Sequence, residues 1–174
     1  VAFDEAGHIT GLVEEPTEAL VPDAEIHSDL GSRTHDWSPD GSRVVYAVGP
    51  HQEPELYILD LRTRQTRRLT EGCAPVWSPD GSHIAFRRDH EAIFIIQPDG
   101  SGLQTLGQRP AHPGVEYAYP YPGYYELVWS PDSSELLYGC LDLDRGRDFY
   151  RIASSGGEPQ NLTRSVMDGA VPVA

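Results

Sequence analysis

The chain contains the stretch Trp77-Ser78-Pro79-Asp80-Gly81, and it carries two further copies, Trp37-Ser38-Pro39-Asp40-Gly41 and Trp129-Ser130-Pro131-Asp132-Ser133. The three tryptophans are 40 and 52 residues apart. A self-similar stretch that returns at a period of this size is typical of repeat architectures, in which each repeat is one supersecondary unit. The spacing therefore predicts a repeat protein, in which similar structural units follow one another along the chain.

Each copy is followed by three short segments rich in β-branched and aromatic residues and separated by turn residues. After the first copy they are Arg43–Val48, Glu55–Asp60 and Thr66–Thr70. Such segments read as strands. Together with the strand that ends at the tryptophan they make four antiparallel strands in about 40–45 residues, which is the size of one β-propeller blade. The sequence thus predicts an all-β propeller of four-stranded antiparallel blades.

The residues after each tryptophan suit a tight turn between the first and second strands. Proline sets φ at the first central position of a type I turn, and glycine accepts the positive φ that closes the hairpin. Ser133 replaces this glycine in the third copy, so we expect that turn to be strained or of another type. The tryptophan itself is predicted to pack between neighbouring sheets, because an aromatic residue at the same place in every repeat belongs to the architecture.

These motifs resemble the TolB-type β-propeller repeat, a WD-repeat-like unit. The resemblance is carried by Pro75-Val76-Trp77-Ser78-Pro79-Asp80-Gly81, Ile84-Ala85-Phe86, Leu56-Tyr57-Ile58-Leu59-Asp60 and Arg67-Arg68-Leu69-Thr70, and it covers residues 35–174. It implies a bacterial, periplasmic or secreted propeller that binds a lipoprotein partner in the cell envelope. Only the scaffold motif matches, so no binding residue is transferred to this chain from the family.

The spacing also predicts how the blades divide the chain. We predict a single domain, 1–174, with about four blades. Three of them are residues 35–70, 74–106 and 127–163. The last blade is formed by residues 1–30 and closed by residues 169–174. Closure of this kind would hide sheet edges that otherwise invite aggregation. Two other arrangements remain open: two chains could join into an eight-bladed ring as a homodimer, or the chain could be a structural module of a larger propeller.

The charge balance limits the classes of partner. The chain of 174 residues has 13 basic residues, all arginine, against 27 acidic ones, which gives a net charge of −14. Such an acidic chain repels nucleic-acid phosphates and anionic membranes. No apolar run approaches the length needed to span a bilayer. We therefore expect neither a nucleic-acid partner nor membrane insertion.

The strand order sorts the connections onto two faces, and one face receives all of the longer loops. Its longest loop is the insertion from Gly107 to Glu126, which is rich in tyrosine and proline. Tyrosine gives a large contact area with a polar tip at low entropic cost. The insertion is therefore a candidate binding surface for a protein or peptide, with contacts from Tyr117, Tyr119, Tyr121, Tyr124, Tyr125 and His112. Alternatively, the tyrosines fold back to cover the ring or the neighbouring blade.

Two groups of residues on the same face are candidate metal ligands. Asp142, Asp144 and Asp148 give alternating carboxylates around Gly146, faintly like a calcium loop, although their spacing does not match the EF-hand and Arg145 and Arg147 could neutralise them. Converging His51, His90 and His112 could hold a transition metal. A calcium or other divalent ion is thus one hypothesis, and a solvated loop is the alternative. A disulfide between Cys73 and Cys140 is a further option.

The sequence contains no nucleophile elbow of the form Gly-x-Ser-x-Gly and no phosphate-binding glycine loop. We therefore predict a non-catalytic binding scaffold whose partner lies on the face that carries the tyrosine-rich insertion. The alternatives are a metal-dependent or carbohydrate-acting enzyme with its site at the mouth of the central channel, and a purely structural module.

Overall fold

The computed structural model describes residues 2–3, 9–11, 34–49, 53–88, 92–108, 124–142 and 146–163. These residues form strands and turns and no helix. The strands assemble into three four-stranded antiparallel sheets and one short hairpin. The predicted all-β class and the four-stranded antiparallel sheets are confirmed.

The strands are numbered along the chain. The N-terminal hairpin pairs β1 (Ala2–Phe3) with β2 (Ile9–Gly11). Blade I contains β3 (His35–Trp37), β4 (Arg43–Val48), β5 (Glu55–Asp60) and β6 (Gln65–Glu71). Blade II contains β7 (Cys73–Trp77), β8 (Ile84–Arg88), β9 (Ala92–Ile96) and β10 (Gln104–Gln108). Blade III contains β11 (Tyr124–Trp129), β12 (Glu135–Asp142), β13 (Gly146–Ala153) and β14 (Gln160–Asn161).

Within each blade every strand pairs with its neighbour in sequence, so the order is a simple meander. The fourth blade, predicted from residues 1–30 and 169–174, lies outside the described residues except for the N-terminal hairpin, and it stays a prediction.

Blade II lies between the other two blades, and this explains why its strands are apolar on both faces. Ile84 and Phe86 on β8 belong to a buried cluster with Val45 and Leu56 of blade I. Ala85, which lies between them on the strand, belongs to a second buried cluster shared with blade III. Because successive side chains on a strand point to opposite faces, a continuous apolar run is what a strand buried on both faces requires.

The tryptophans of blades II and III pack between sheets as predicted. Trp77 and Trp129 are 5% and 8% exposed and belong to the two inter-blade clusters. The indole Nε1 of Trp129 donates a hydrogen bond of 3.2 Å to the carbonyl oxygen of Val76 on blade II. Trp37 of blade I differs, since it is 56% exposed. Its sheet has a packed neighbour, blade II, on the opposite face only, within the part of the chain that the structure describes.

Polar contacts also join successive blades. The backbone N–H of Trp77 donates to Asp36 Oδ2 at 2.7 Å, and the Arg43 guanidinium lies 5.0 Å from the centroid of the Trp77 ring. At the outer edge, Arg67 of blade I donates to the carbonyl oxygens of Pro98 and Asp99 in blade II. These bonds fix the position of each sheet on the next, in addition to the apolar packing.

The turn of the third copy has the same hydrogen bond as the other two despite its serine. Ser133 N–H donates to Ser130 O at 2.9 Å, as Gly41 and Gly81 do to Ser38 and Ser78 at 2.8 and 2.9 Å. Ser133 adopts a φ of 61°, in the left-handed region where side chains are disfavoured. The expectation of strain is confirmed, and the turn type is retained. The Ser133 hydroxyl accepts a hydrogen bond from Asp80 N–H in blade II at 3.1 Å.

A pair of substitutions at Ser133 separates the strain from the lost hydrogen bond. Ser133→Ala and Ser133→Gly both remove the hydroxyl, but only glycine is comfortable at this φ. We expect Ser133→Gly to be more stable than Ser133→Ala by about 1 kcal/mol. Urea unfolding of both variants measures this difference, and equal stabilities would contradict the assignment of strain to this turn.

The exposure of the three tryptophans predicts an unequal response to their removal. Trp77→Ala or Trp129→Ala should lower the free energy of unfolding by about 3–5 kcal/mol, because each leaves a cavity between two sheets. Trp37→Ala should cost less than about 1 kcal/mol, because this side chain is 56% exposed. Chemical denaturation monitored by circular dichroism provides the comparison, and equal losses at the three positions would overturn this picture.

Candidate functional site

The meander places the connections on two opposite edges of the blades. The turn face carries the links from first to second strands and from third to fourth strands, including residues 38–42, 78–82 and 130–134. The opposite edge, called the loop face, holds the ends of the strands that are joined by residues 49–54, 89–91, 109–123 and 143–145, which link second to third strands and one blade to the next. Binding residues concentrate on variable loops held by a rigid scaffold, and this favours the loop face as the place of a binding site.

On the turn face, the aspartate of each repeat is held by the serines on either side of it. Ser38 Oγ donates to Asp40 Oδ1 at 2.6 Å, and Ser42 donates to the same carboxylate through its N–H at 3.0 Å and its hydroxyl at 2.9 Å. The same pattern of bonds recurs around Asp80 and Asp132. Hydrogen bonds to a carboxylate favour its ionised form.

These bonds determine the ionisation of the turn face. The hydroxyl of the preceding serine, with the bonds from the following serine, lowers the pKa of Asp40, Asp80 and Asp132 from 3.8 to about 2. A carboxylate with so low a pKa is a poor proton acceptor near neutral pH. The arrangement therefore suits a structural role in closing the turns.

On the loop face of blade I, three side chains form a small polar network. Tyr57 donates its hydroxyl hydrogen to Glu55 Oε2 at 3.0 Å, and Arg68 Nε donates to Glu55 Oε1 at 2.7 Å. The bond from Arg68, with that from Tyr57, lowers the pKa of Glu55, and the same carboxylate raises the pKa of Tyr57. Sequence reasoning missed this network, although the two-residue spacing of Glu55 and Tyr57 places them on one face of a strand.

Arg88 joins blades I and II at the loop face. Its guanidinium lies 5.0 Å from the centroid of the Phe94 ring and 5.9 Å from that of Phe86. Its Nη2 donates to Thr70 Oγ1 at 2.6 Å and to the carbonyl oxygen of Glu71 at 3.3 Å. Arg88 therefore holds the end of β8, from which residues 89–91 depart, against the last strand of blade I.

One of the three predicted calcium ligands lies in the described part of the chain. Asp148 accepts hydrogen bonds through both carboxylate oxygens, from Asn161 Nδ2 at 3.0 Å and from Thr163 Oγ1 at 2.7 Å. These bonds fasten β14 to β13. Asp144 and the side chain of Asp142 lie outside the described residues, as do His51, His90 and His112. Among the residues that are described, no three histidine, cysteine or acidic side chains cluster as a metal site would require. The calcium site stays a prediction.

The two ends of the tyrosine-rich insertion are fixed in neighbouring blades. The chain leaves β10 of blade II at Gln108 and enters β11 of blade III at Tyr124, whose backbone pairs with that of Cys140. Tyr125 pairs with Gly139, and the register shifts just before Leu127. The side chains of both tyrosines, and the whole of Tyr117, Tyr119, Tyr121 and His112, lie outside the described residues. Their binding role stays a prediction.

Cys73 is buried at the start of β7, and the side chain of Cys140 lies outside the described residues, so the disulfide between them stays a prediction. No helix among the described residues is long and apolar enough to cross a membrane.

Solved structures show which fold the three blades belong to. A TolB candidate from Agrobacterium tumefaciens is 24% identical and superposes with a TM-score of 0.55, over 78% of this chain and 50% of that one. TolB from Acinetobacter baumannii is 20% identical and superposes with a TM-score of 0.54, over 75% of this chain and 31% of that one. The fold is that of a TolB-like β-propeller. An oligogalacturonate lyase in complex with manganese also superposes, at 18% identity and a TM-score of 0.54, over 72% of this chain and 37% of the lyase.

Comparison of sequences gives relatives with different descriptions. No family model matches the chain. An uncharacterized protein of Agrobacterium fabrum is 28% identical over 123 residues, which are 67% of this chain and 41% of the relative. Dipeptidyl-peptidase 5 of Porphyromonas gingivalis is 23% identical over 162 residues, 80% of this chain and 22% of the peptidase. The chain therefore spans less than half the length of either of these relatives.

The pKa values of the turn aspartates predict acid sensitivity. In the unfolded chain these carboxyls have a pKa near 3.8. In the folded chain their pKa is about 2, so they stay ionised to a lower pH. The stability that these carboxylates contribute is fully present above their pKa in the unfolded chain, and it is lost as the pH falls from about 4 toward 2. We expect Asp80→Asn to weaken this pH dependence.

A second variant, Ser78→Ala, keeps the carboxylate of Asp80 and removes the hydrogen bond that lowers its pKa most. We expect Ser78→Ala to weaken the dependence of the free energy of unfolding on pH over the same pH range. Urea unfolding at several pH values between 2 and 5 measures both effects, and an unchanged slope in both variants would contradict the role given to the serine.

Proposed function

We propose that this chain is a non-catalytic scaffold that binds a protein or peptide on its loop face, with Tyr117, Tyr119, Tyr121, Tyr124, Tyr125 and His112 as the contact residues. The observation that carries the proposal is the anchoring of the insertion. Its two ends leave β10 and enter β11, strands of two blades that share a buried core containing Leu106, Leu127 and Trp129. A loop held at both ends by packed sheets can present side chains at low entropic cost.

The rest of the loop face supports the proposal by its rigidity. Glu55, Tyr57 and Arg68 are bonded to one another beside one loop, Arg88 joins two blades beside the next, and Asp148 ties the base of the 143–145 loop to the last strand. Each loop thus starts from a fixed position. On the turn face, by contrast, the aspartates and serines serve the turns themselves. These contacts support a binding surface for the partner among the loops.

The likeness to TolB supports the same class of function and a place in the cell envelope, in the periplasm or outside the cell. Binding by an acidic chain, with a net charge of −14, favours a partner whose contact surface is basic. The second candidate is a metal-dependent or carbohydrate-acting enzyme. It rests on the structural likeness to the lyase that was solved with manganese.

The binding role predicts the effect of replacing the insertion tyrosines. Peptides selected on the purified chain from a random display library should bind a variant with Tyr117, Tyr119 and Tyr121 changed to serine at least about tenfold more weakly, because aromatic anchors carry much of the energy of an interface. Leu103→Ser is the control, since Leu103 is 47% exposed and lies on the turn face. The Leu103→Ser variant should bind the selected peptides with the same affinity as the unchanged chain.

Isothermal titration calorimetry of the selected peptides gives these affinities. Equal binding by the unchanged chain and the triple variant would contradict a binding role for the insertion. Titration of manganese and calcium into the same samples addresses the second candidate: one strongly bound ion per chain, together with lyase or hydrolase activity that a chelator abolishes, would replace the scaffold proposal with an enzyme.

A further inference from the structure

Three Asp-Gly pairs of the described chain lie in tight turns on the turn face. Asp40-Gly41 and Asp80-Gly81 link first to second strands, and Asp99-Gly100 links β9 to β10. In an Asp-Gly pair the backbone cyclises readily, because glycine has no side chain to obstruct the approach of its nitrogen to the aspartate carboxyl. The N–H of each glycine donates to the carbonyl oxygen three residues before it, so this bond does not distinguish the three turns.

The cyclisation rearranges the backbone and needs no reactant other than water. The glycine nitrogen attacks the side-chain carboxyl carbon, so that an N–C bond forms while the carboxyl loses its hydroxyl and the nitrogen loses its proton. One water molecule departs and a five-membered succinimide remains. Water then opens the ring. Opening at the former main-chain carbonyl gives isoaspartate, in which the chain runs through the side-chain carbons and the former main-chain carbonyl becomes a free carboxylate.

In the turns of Asp40 and Asp80, the flanking serines oppose this reaction. Ser78 Oγ donates to Asp80 Oδ1 at 2.6 Å, and Ser82 Oγ donates to Asp80 Oδ2 at 2.8 Å. The same bonds surround Asp40. The carboxyl loses a hydroxyl only in its neutral form, and these bonds keep it ionised by lowering its pKa to about 2. They also fix both carboxylate oxygens in place.

The turn of Asp99 lacks the first of these serines. Gln97 stands two residues before Asp99, where Ser78 stands two residues before Asp80. The hydroxyl of Ser101 at 2.6 Å and its N–H at 2.8 Å both donate to Asp99 Oδ1, and they lower the pKa of Asp99. Among the described residues no donor reaches Oδ2. The carboxyl of Asp99 is therefore held from one side and is freer to turn toward the backbone.

A cation from the neighbouring blade faces the peptide bond that would react. Arg67 Nη1, on β6 of blade I, donates to the carbonyl oxygen of Asp99 at 3.2 Å, and its Nη2 donates to the carbonyl oxygen of Pro98. The carbonyl of Asp99 belongs to the same peptide group as the attacking nitrogen of Gly100. A charged donor on this oxygen draws electrons from the amide and stabilises the deprotonated nitrogen that attacks. Arg67 therefore favours ring closure at this turn.

We propose that Asp99-Gly100, facing Arg67, is a site of spontaneous isoaspartate formation in the folded protein, and that serines protect Asp40-Gly41 and Asp80-Gly81 from the same change. The product alters the contact between blades I and II. It lengthens the turn by one backbone atom, and the carbonyl that accepts from Arg67 becomes a carboxylate, which pairs more strongly with a guanidinium.

Peptide mapping of the folded chain tests the proposal. The purified chain is incubated at mildly acidic pH and physiological temperature, cut at its arginines, and analysed by mass spectrometry with fragmentation that distinguishes isoaspartate from aspartate. Rates in the chain unfolded in urea serve as the reference for each site. Relative to this reference, Asp99 should react at least about fivefold faster than Asp40 or Asp80, the ratio that one hydrogen bond corresponds to. Equal relative rates, or no isoaspartate at Asp99, would overturn the proposal.

The variant Arg67→Met tests the activating role of the guanidinium. It keeps an unbranched side chain and should slow isoaspartate formation at Asp99. Arg62→Met is the matched control, because Arg62 is an exposed arginine in the turn between β5 and β6, and no hydrogen bond joins it to Asp99 in the described chain. It should leave the rate unchanged. An equal or higher rate at Asp99 in folded Arg67→Met would overturn the proposal.

The variant Ser78→Ala tests the protecting role of the serines. It should raise the rate at Asp80 about fivefold, because one of the bonds that hold the carboxylate is lost. The rate at Asp99 in the same variant is an internal control for a general loss of structure and should not change. Circular dichroism melts verify that each variant is folded. An unchanged rate at Asp80 would contradict the protection assigned to Ser78 and overturn the proposal.

Discussion

The structure depends on the burial of one sheet face against the next. No blade has a core of its own: Ile84 and Phe86 reach blade I, while Ala85 between them reaches blade III. Because a four-stranded sheet exposes two faces, each blade is stable only in the company of neighbours, and stability accumulates along the row of blades. In the two described interfaces the largest side chain is the tryptophan at the end of the first strand, Trp77 in one and Trp129 in the other.

Polar side chains specify the alignment that apolar packing alone leaves free. The bond from Trp77 N–H to Asp36 fixes the inner strands of two blades, and Arg67 fixes the outer strand of blade I to a turn of blade II. Apolar rows tolerate sliding, whereas hydrogen bonds have a narrow range of distance and angle. The combination holds the loop-bearing edges of successive blades in register, which a binding surface assembled from several loops requires.

Repetition made the fold predictable, and the lack of repetition limited the prediction of the site. The tryptophan and the proline recur in all three copies, and the glycine in two, with Ser133 in its place in the third, so a local turn preference could be checked three times within one chain. The exposure of Trp37 could not be read in this way, because it depends on which sheet lies beside blade I and not on its own sequence. The network of Glu55, Tyr57 and Arg68 was missed for a similar reason, since Arg68 reaches Glu55 only through the pairing of β5 with β6. The tyrosine insertion occurs once, so no second copy constrains its conformation.

The hydrogen-bonded aspartates also keep the turn face of each described blade negatively charged over a wide range of pH. Asp40, Asp80 and Asp132 are exposed, lie on one face and stay ionised far below the pH of any ordinary compartment. Their negative potential therefore does not change with moderate acidification. A basic surface attracts this side of the molecule before any contact forms, and the attraction weakens as salt increases.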